Sequence, residues 1–363
     1  MDRRRLIISM DIVRALAFGI AALSIWLSMP LASPTENGTT MPVLFAALLG
    51  CALLVGSAEV FRDNAAQTML PAIVPHEHLE RANGRLWSVE LVGNALLGPA
   101  LGAFLIASVI WLPFAINALA FAVAALLMFR LCGSFTPSRT AESCNWQLEL
   151  RQGLAFMRNA PLLRHLAIIT GVWNLLHQMV LIALVLHVQE NLGLAAWGYG
   201  LILATGAVGG IAGGFVADRI VKRIGPGPTA QWMIFASAVA FMGILLAPNG
   251  FVLALVLVAF EFTGLIWNTV SVSYRQRTVP GEILGRVNSI YRLLAWGTMP
   301  IGLFLSGVVV TIAEIIMTRN MALTMPFLTA AGGTVLLTVI AWRPLQVGFA
   351  SASPIISNPQ SGR

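Results

Sequence analysis

Ten apolar stretches, each about long enough to cross a bilayer, run the length of the chain, and its arginines fall in alternate loops between them. A span needs roughly 20 mostly apolar residues to cover a hydrocarbon layer about 30 Å thick. Only helices or closed barrels satisfy their backbone polar groups there. Runs of this length exceed the roughly 10 residues of a barrel strand. The expected fold is therefore all-α, a polytopic membrane protein with spans at 7–31, 41–61, 86–109, 110–132, 165–188, 196–217, 229–248, 250–272, 289–313 and 321–342. Charge sets the orientation. Of 22 Lys and Arg, all but Arg14 and Arg319 lie at the ends or in the loops that share a side with the N-terminus. The positive-inside rule then puts both termini in the cytoplasm. The net charge of +7 is a topology signal, spread over short segments beside spans, and not a nucleic-acid footprint.

The chain is 58% hydrophobic and 10% charged, against about 25% charged for soluble domains. The longest polar stretch, 133–164, is too short for a core of its own. Within it, 146–164 is amphipathic and is expected along the cytoplasmic face. The tail from 344 to 363 is Ser/Pro/Asn-rich and reads as disordered. Cys51, Cys132 and Cys144 have no metal or disulfide spacing. His76 and His78 lack a third ligand, so no metal is expected. The sole lysine, Lys222, belongs to no phosphate-binding loop. With no nucleophile or metalloprotease motif either, neither a cofactor nor an enzymatic activity is expected.

An internal repeat gives the organisation. Residues 74–83 and 279–288 share V-P-x-E-x-L-x-R-x-N, six positions of ten, at an offset of 205. The shared residues include Pro75, Glu77, Arg81 and Asn83, matched by Pro280, Glu282, Arg286 and Asn288. Both copies lie in a cytoplasmic loop just before a span, as duplication of a multi-span unit would place them. The prolines should stop the incoming helix and the asparagines cap the outgoing one. The expected division is an N-terminal half over 1–133, a linker over 134–164 and a C-terminal half over 165–343.

Residues 214–223 read G-F-V-A-D-R-I-V-K-R and place Gly214, Asp218, Arg219 and Arg223 in the pattern G-x-x-x-D-R-x-x-[KR]-R. This resembles the loop signature of the major facilitator superfamily. With Asp11-x-x-Arg14, the repeated loop and Tyr291–Gly297, it resembles the branch holding the enterobactin exporter and macrolide-efflux permeases. Gly98-Pro99-x-x-Gly102 is similar to part of an antiporter signature, although Ala103 replaces its last glycine. Because Asp2-Arg3-Arg4-Arg5 resembles the end of the first-half loop, the resemblance implies a bundle lacking the family's first two helices.

The resemblance implies a monomeric, proton-coupled exporter of a small amphipathic molecule, a drug or siderophore, in a bacterial inner membrane. A non-transporting remnant or scaffold is the alternative. Asp218 should latch onto the start of the third span near 83–88, where helix amides favour a carboxylate. Ionisable groups inside hydrocarbon are functional candidates. Glu261 lies mid-span, and the resemblance places its helix at a central cavity. Span five adds Asn174, His177 and Gln178, span two adds Glu59, and Asn268 lies two turns beyond Glu261. A carboxyl and an imidazole facing one cavity could carry protons. The competing role is hydrogen-bonding glue between helices. The stripe Gly206, Gly210, Gly214 reads as helix packing.

Overall fold

A computed structural model describes residues 2–31, 41–131, 133, 135 and 146–357. Among these residues every regular element is helical. Among the described residues, nine helices or pairs of helices in line are long and apolar enough to span a membrane. The third expected span, 86–109, is helical but interrupted by a π-helical turn. It comprises α3 (Leu79–Leu91), a π-helical turn (Val92–Leu97) and α4 (Gly98–Ser108). Pro99 sits in the first turn of α4. A proline lacks the N–H that would continue the ladder, so the preceding turn loosens.

Two compact units divide the chain, residues 1–75 with 97–143 and residues 76–96 with 144–363. The first unit holds α1 (Arg3–Leu27), α2 (Pro42–Ile73), α4 and α5 (Leu112–Phe129). Asp2 starts α1 by accepting from the amides of Arg4 and Arg5 at 2.8 and 3.4 Å, the usual role of an N-cap carboxylate. The Arg4 side chain donates to the carbonyls of Met128 and Phe129 at 3.0 and 2.7 Å, closing the end of α5. Further along α1, Phe18 stacks on Phe121 with ring centres 5.6 Å apart.

The second unit holds α3, α6 (Trp146–Asn159), α7 (Pro161–Leu186), α8 (Ala196–Ile224), α9 (Pro226–Leu246), α10 (Gly250–Thr278), α11 (Leu284–Trp296), α12 (Met299–Ala313), a single turn α13 (Arg319–Ala322) and α14 (Met325–Ser357). A π-helical turn, His187–Asn191, extends α7. The expected tail at 344–363 is instead helical as far as Ser357. Leu345 and Phe349 are buried in the core that α14 shares with α7 and α10, and this burial continues the helix past its apolar run. Residues 358–363 lie outside the described set.

The repeat extends to helix boundaries. α2 ends at Ile73 and α10 at Thr278, both two residues before the repeated proline. α3 and α11 both have 13 residues, and their limits differ by the same 205 positions as the motif. They begin earlier than expected, so Asn83 and Asn288 are not caps. Each lies a full turn inside its helix and is buried. The turn after each proline is already wound tightly, and the helix starts directly from it.

Glycines set the close approaches in this unit. A Cβ on Gly209 of α8 would collide with the Val258 carbonyl of α10, and one on Gly213 would lie 2.7 Å from the Phe262 carbonyl oxygen. On the neighbouring face, a Cβ on Gly84 of α3 would collide with the Gly214 carbonyl, and Gly210 faces Leu91. Ser88 donates across this crossing to the Ile211 carbonyl at 3.1 Å. Small residues let membrane helices meet at backbone distance, where packing and polar contacts replace the hydrophobic drive. Gly209→Leu should separate α8 from α10. The obstacle is backbone, so the cost should reach or exceed the ~1–3 kcal/mol typical of overpacking. A thermal midpoint of the purified variant several degrees below wild type is the expected reading; an unchanged midpoint would show that the crossing is slack.

Candidate functional site

The second unit carries one intramembrane carboxyl and one imidazole on a shared cavity. α10 presents Glu261, and α7 presents His177. Both line an internal space of about 30 Å³ with Leu203, Gly206, Leu257 and Phe260. That volume is enough for a water molecule. The α8 glycines make room for the carboxyl: a Cβ on Gly206 would lie 3.4 Å from Glu261 Cγ, and one on Gly210 would lie 3.7 Å from Glu261 Cβ. The stripe expected to serve helix packing thus also houses an acid.

Aromatic rings hold the histidine. The His177 ring centre is 5.0 Å from that of Trp173 and 5.3 Å from that of Phe260. Trp173 and Phe260 stack at 5.4 Å, and Phe241 meets Phe260 edge-on at 4.7 Å. Such pairs contribute roughly 0.5–1.5 kcal/mol beyond area burial and fix ring orientation. No side-chain hydrogen bond or ion pair engages Glu261 or His177 among the described residues. Both are thus free to bond to water or to a bound molecule in the cavity.

The other expected pathway residues divide. Asn174 is buried and donates to the Ala295 carbonyl at 2.7 Å, joining α7 to α11. Gln178 and Asn268 are half-buried and do not line the Glu261 cavity. Asn268 lies seven residues from Glu261, hence on the same face of α10. Glu59, in the first unit, is exposed on α2 within electrostatic range of Arg14. Arg14 also pairs with the buried Asp11 at 3.7 Å and lies over the Phe121 ring at 3.9 Å. Gly98 opens α4, and nothing lies within 4 Å of a Cβ built on Gly102. The Pro99 side chain lies outside what is described.

Near the end of α8 that carries the loop signature, Asp218 lines a recess of about 280 Å³ with Arg81, Arg85, Gly214, Phe215 and Arg219. The carboxylate is thus beside the first turns of α3, as the loop signature implies, but its hydrogen bond goes to Lys222 Nζ at 3.0 Å. Expected bonds to the amides near 83–88 are absent among the described residues. α3 starts one turn earlier, at Leu79, so those amides are already spent within the helix. Arg219 and Arg223 are exposed.

The repeated loops diverge in their partners. Glu77 pairs with His78 at 3.5 Å. Arg81 faces the Asp218 recess, whereas its counterpart Arg286 reaches α6, pairing with Glu149 at 2.8 Å and donating to Gln152 at 2.5 Å. A Cβ on Gly153 of α6 would meet Ile290 at 2.7 Å. The amphipathic segment is therefore docked on α11. Asn83 donates to Ser273 and Gln276 of α10 at 3.0 and 2.7 Å. Glu282 is exposed.

Several polar groups escaped sequence reasoning. The Tyr291 hydroxyl bonds Thr170 at 3.0 Å and Ser271 at 2.6 Å, and Trp267 Nε1 donates to Thr170 at 3.1 Å. The buried Arg275 guanidinium lies 4.1 Å over the Tyr291 ring. Trp267, Ser271 and Arg275 recur every four residues, a polar stripe on α10 that could have been found. Arg277 and Glu80 form a two-pronged ion pair between α10 and α3, with Glu80 4% exposed, and Arg277 also donates to the His76 carbonyl.

Comparison with known proteins agrees with this architecture. Residues 1–302 match the model of the Major Facilitator Superfamily. The chain belongs to that family. The multidrug efflux pump Tap of Mycobacterium tuberculosis is 25% identical over 296 residues, covering 77% of this chain and 67% of the pump. Tap of Mycolicibacterium fortuitum is 26% identical over 273 residues, covering 70% and 64%. Among solved structures, a bacterial homologue of the iron transporter ferroportin superposes with a TM-score of 0.73 at 16% identity, over 97% of this chain and 84% of that one. The human organic anion transporter MFSD10 gives 0.73 at 16% identity, over 95% and 77%. The chain is thus a multi-pass membrane transporter of the facilitator fold, related in sequence to multidrug efflux pumps.

Breaking the Glu80–Arg277 pair should be costly. Removing one partner of a buried pair leaves an uncompensated charge, at about 3–5 kcal/mol. Glu80→Ala and Arg277→Ala should each lower the thermal midpoint. The double variant should fall well short of the summed losses, since it leaves no orphan. Additive losses would show that the pair contributes nothing as a pair.

Proposed function

We propose that the protein is a proton-coupled exporter of a small amphipathic molecule, seated as a monomer in a bacterial inner membrane with both termini in the cytoplasm. The observation that carries this reading is the placement of Glu261 and His177 on one internal cavity with room for water. A charged carboxylate at bilayer depth costs roughly 2.5–3.5 kcal/mol on insertion scales. Gaining or losing one proton there is therefore an event that the surrounding helices feel. Water in the cavity would relay the proton between carboxyl and imidazole. Export of an amphipathic compound is supported by the relationship to Tap.

Asp218 and its recess form the conformational latch in this reading. The recess brings Arg81 and Arg85 of α3 beside a carboxylate at the inner end of α8. A small shift of α8 along α3 would separate these charges, and the glycine crossing at Gly84 and Gly214 permits such sliding.

Glu261→Gln preserves shape and hydrogen bonding but removes titration. In proteoliposomes with an imposed pH gradient, the wild-type chain should move an amphipathic dye such as ethidium faster than without the gradient. Glu261→Gln should lose that acceleration while still binding the dye. If Glu261→Gln keeps gradient-driven transport, the carboxyl is interhelical glue. If the wild type moves no dye and no member of a wider drug and siderophore panel, the exporter reading gives way to that of a scaffold.

A further inference from the structure

The recess beside Asp218 carries a surplus of positive charge that the latch reading does not use. Its volume of about 280 Å³ far exceeds the roughly 10–15 Å³ that one water needs. Arg81 and Arg85 line it from α3, and Arg219 lines it from α8. Among the described residues Asp218 is the one acid of the lining, and Lys222 already holds it at 3.0 Å. Among the same residues, Arg81, Arg85 and Arg219 make no hydrogen bond or ion pair.

Local structure explains why the arginines converge. Arg81 and Arg85 are four residues apart, so they stand on one face of α3, where like charges repel. Gly84, between them, lets α8 approach that helix at backbone distance, since a Cβ there would collide with the Gly214 carbonyl. The close crossing brings Arg219 to the same hollow. The second copy of the loop motif shows what is missing here. Arg286, at the position of Arg81, has Glu149 at 2.8 Å and Gln152 at 2.5 Å. Ile290 stands at the position of Arg85. That copy therefore has one cation with an acid to match it, whereas the first copy has two cations, meets a third, and finds only a carboxylate already paired with a lysine.

We propose that this recess binds a phosphate-type oxyanion, held by Arg81 and Arg85 of α3 and by Arg219 of α8. Guanidinium forks pair with phosphate oxygens two at a time, and a doubly charged ion relieves the repulsion among three arginines more than chloride does. Free phosphate and the phosphate of an anionic lipid headgroup offer the same chemistry. Bound there, the ion would tie α3 to α8 much as Glu149 and Arg286 tie α6 to α11. The assignment depends neither on what the protein transports nor on the latch.

The test uses the full chain in dodecyl maltoside, a detergent without phosphate. Arginines are modified with phenylglyoxal and followed residue by residue by peptide mass spectrometry. Sodium phosphate, compared with sodium chloride of equal ionic strength, should slow modification of Arg81, Arg85 and Arg219. The slowing should be about tenfold at about ten times the dissociation constant, where only about a tenth of the sites stay empty. Arg151, exposed on α6, should react at an unchanged rate. The thermal midpoint should rise over the same range and saturate, because the ion binds the folded chain. Arg85→Gln should abolish the rise, Arg85→Lys should keep part of it, and Arg151→Gln should keep all of it. If phosphate has no effect but phosphatidylglycerol added to the micelles protects the three arginines and phosphatidylcholine does not, the ligand is a lipid headgroup and the proposal stands. Equal protection by chloride, no protection by either phosphate or phosphatidylglycerol, or an undiminished midpoint rise in Arg85→Gln would each overturn it.

Discussion

Backbone-to-backbone contact at the α8 glycines is the constraint on which the second unit rests. Gly209 and Gly213 bring α8 against α10, and Gly210 and Gly214 bring it against α3. Lipid is as apolar as leucine, so sequestering hydrocarbon gives these helices little reason to associate. Close approach supplies dispersion contacts and short polar bonds instead, among them Ser88 to the Ile211 carbonyl. The same absence of side chains at Gly206 and Gly210 leaves the space that Glu261 fills. Packing and chemistry thus share one cause here.

The polar groups of the second unit sort into two kinds. Asn83, Asn174, Thr170, Tyr291 and Ser271 are all engaged with neighbouring helices, so they fix geometry. Among the described residues Glu261 and His177 have no hydrogen-bonding or ionic side-chain partner and share a cavity, which leaves both groups open to protons and water. Neighbouring positions on one helix fall on opposite sides of this divide: Asn174 and His177 are three residues apart on α7. Their difference lies in what stands opposite, the Ala295 carbonyl at the end of α11 for one and an aromatic wall for the other.

Duplication left matched helices with unmatched partners. α3 and α11 have the same length and the same offset as the loop motif, because proline, the tight turn and the leucine that starts each helix are local features and were copied together. Their arginines answer to different neighbours. Arg81 faces the Asp218 recess, while Arg286 is taken up by Glu149 and Gln152 of α6. Since α6 stands outside the repeat, it could not have been copied with it, and its docking makes the two loops inequivalent.

The sequence by itself determined the helical class, most of the spans and the family. Each follows from local quantities: the length of apolar runs and short loop motifs such as the one at 214–223. It also singled out Glu261 and His177, because an ionisable group in an apolar run is conspicuous wherever its helix packs. Only the tertiary structure decided what each polar group meets. Asn83 looked like a helix cap in the motif and proved to be a buried bridge to Ser273 and Gln276. Arg277 looked like one more topological charge and proved to pair with Glu80 almost 200 residues away. The break of the third span at Val92–Leu97 and the helical run to Ser357 were hidden for the same reason. Hydropathy measures what one helix prefers to face, whereas a partner, a kink or a buried edge depends on helices brought alongside from elsewhere in the chain.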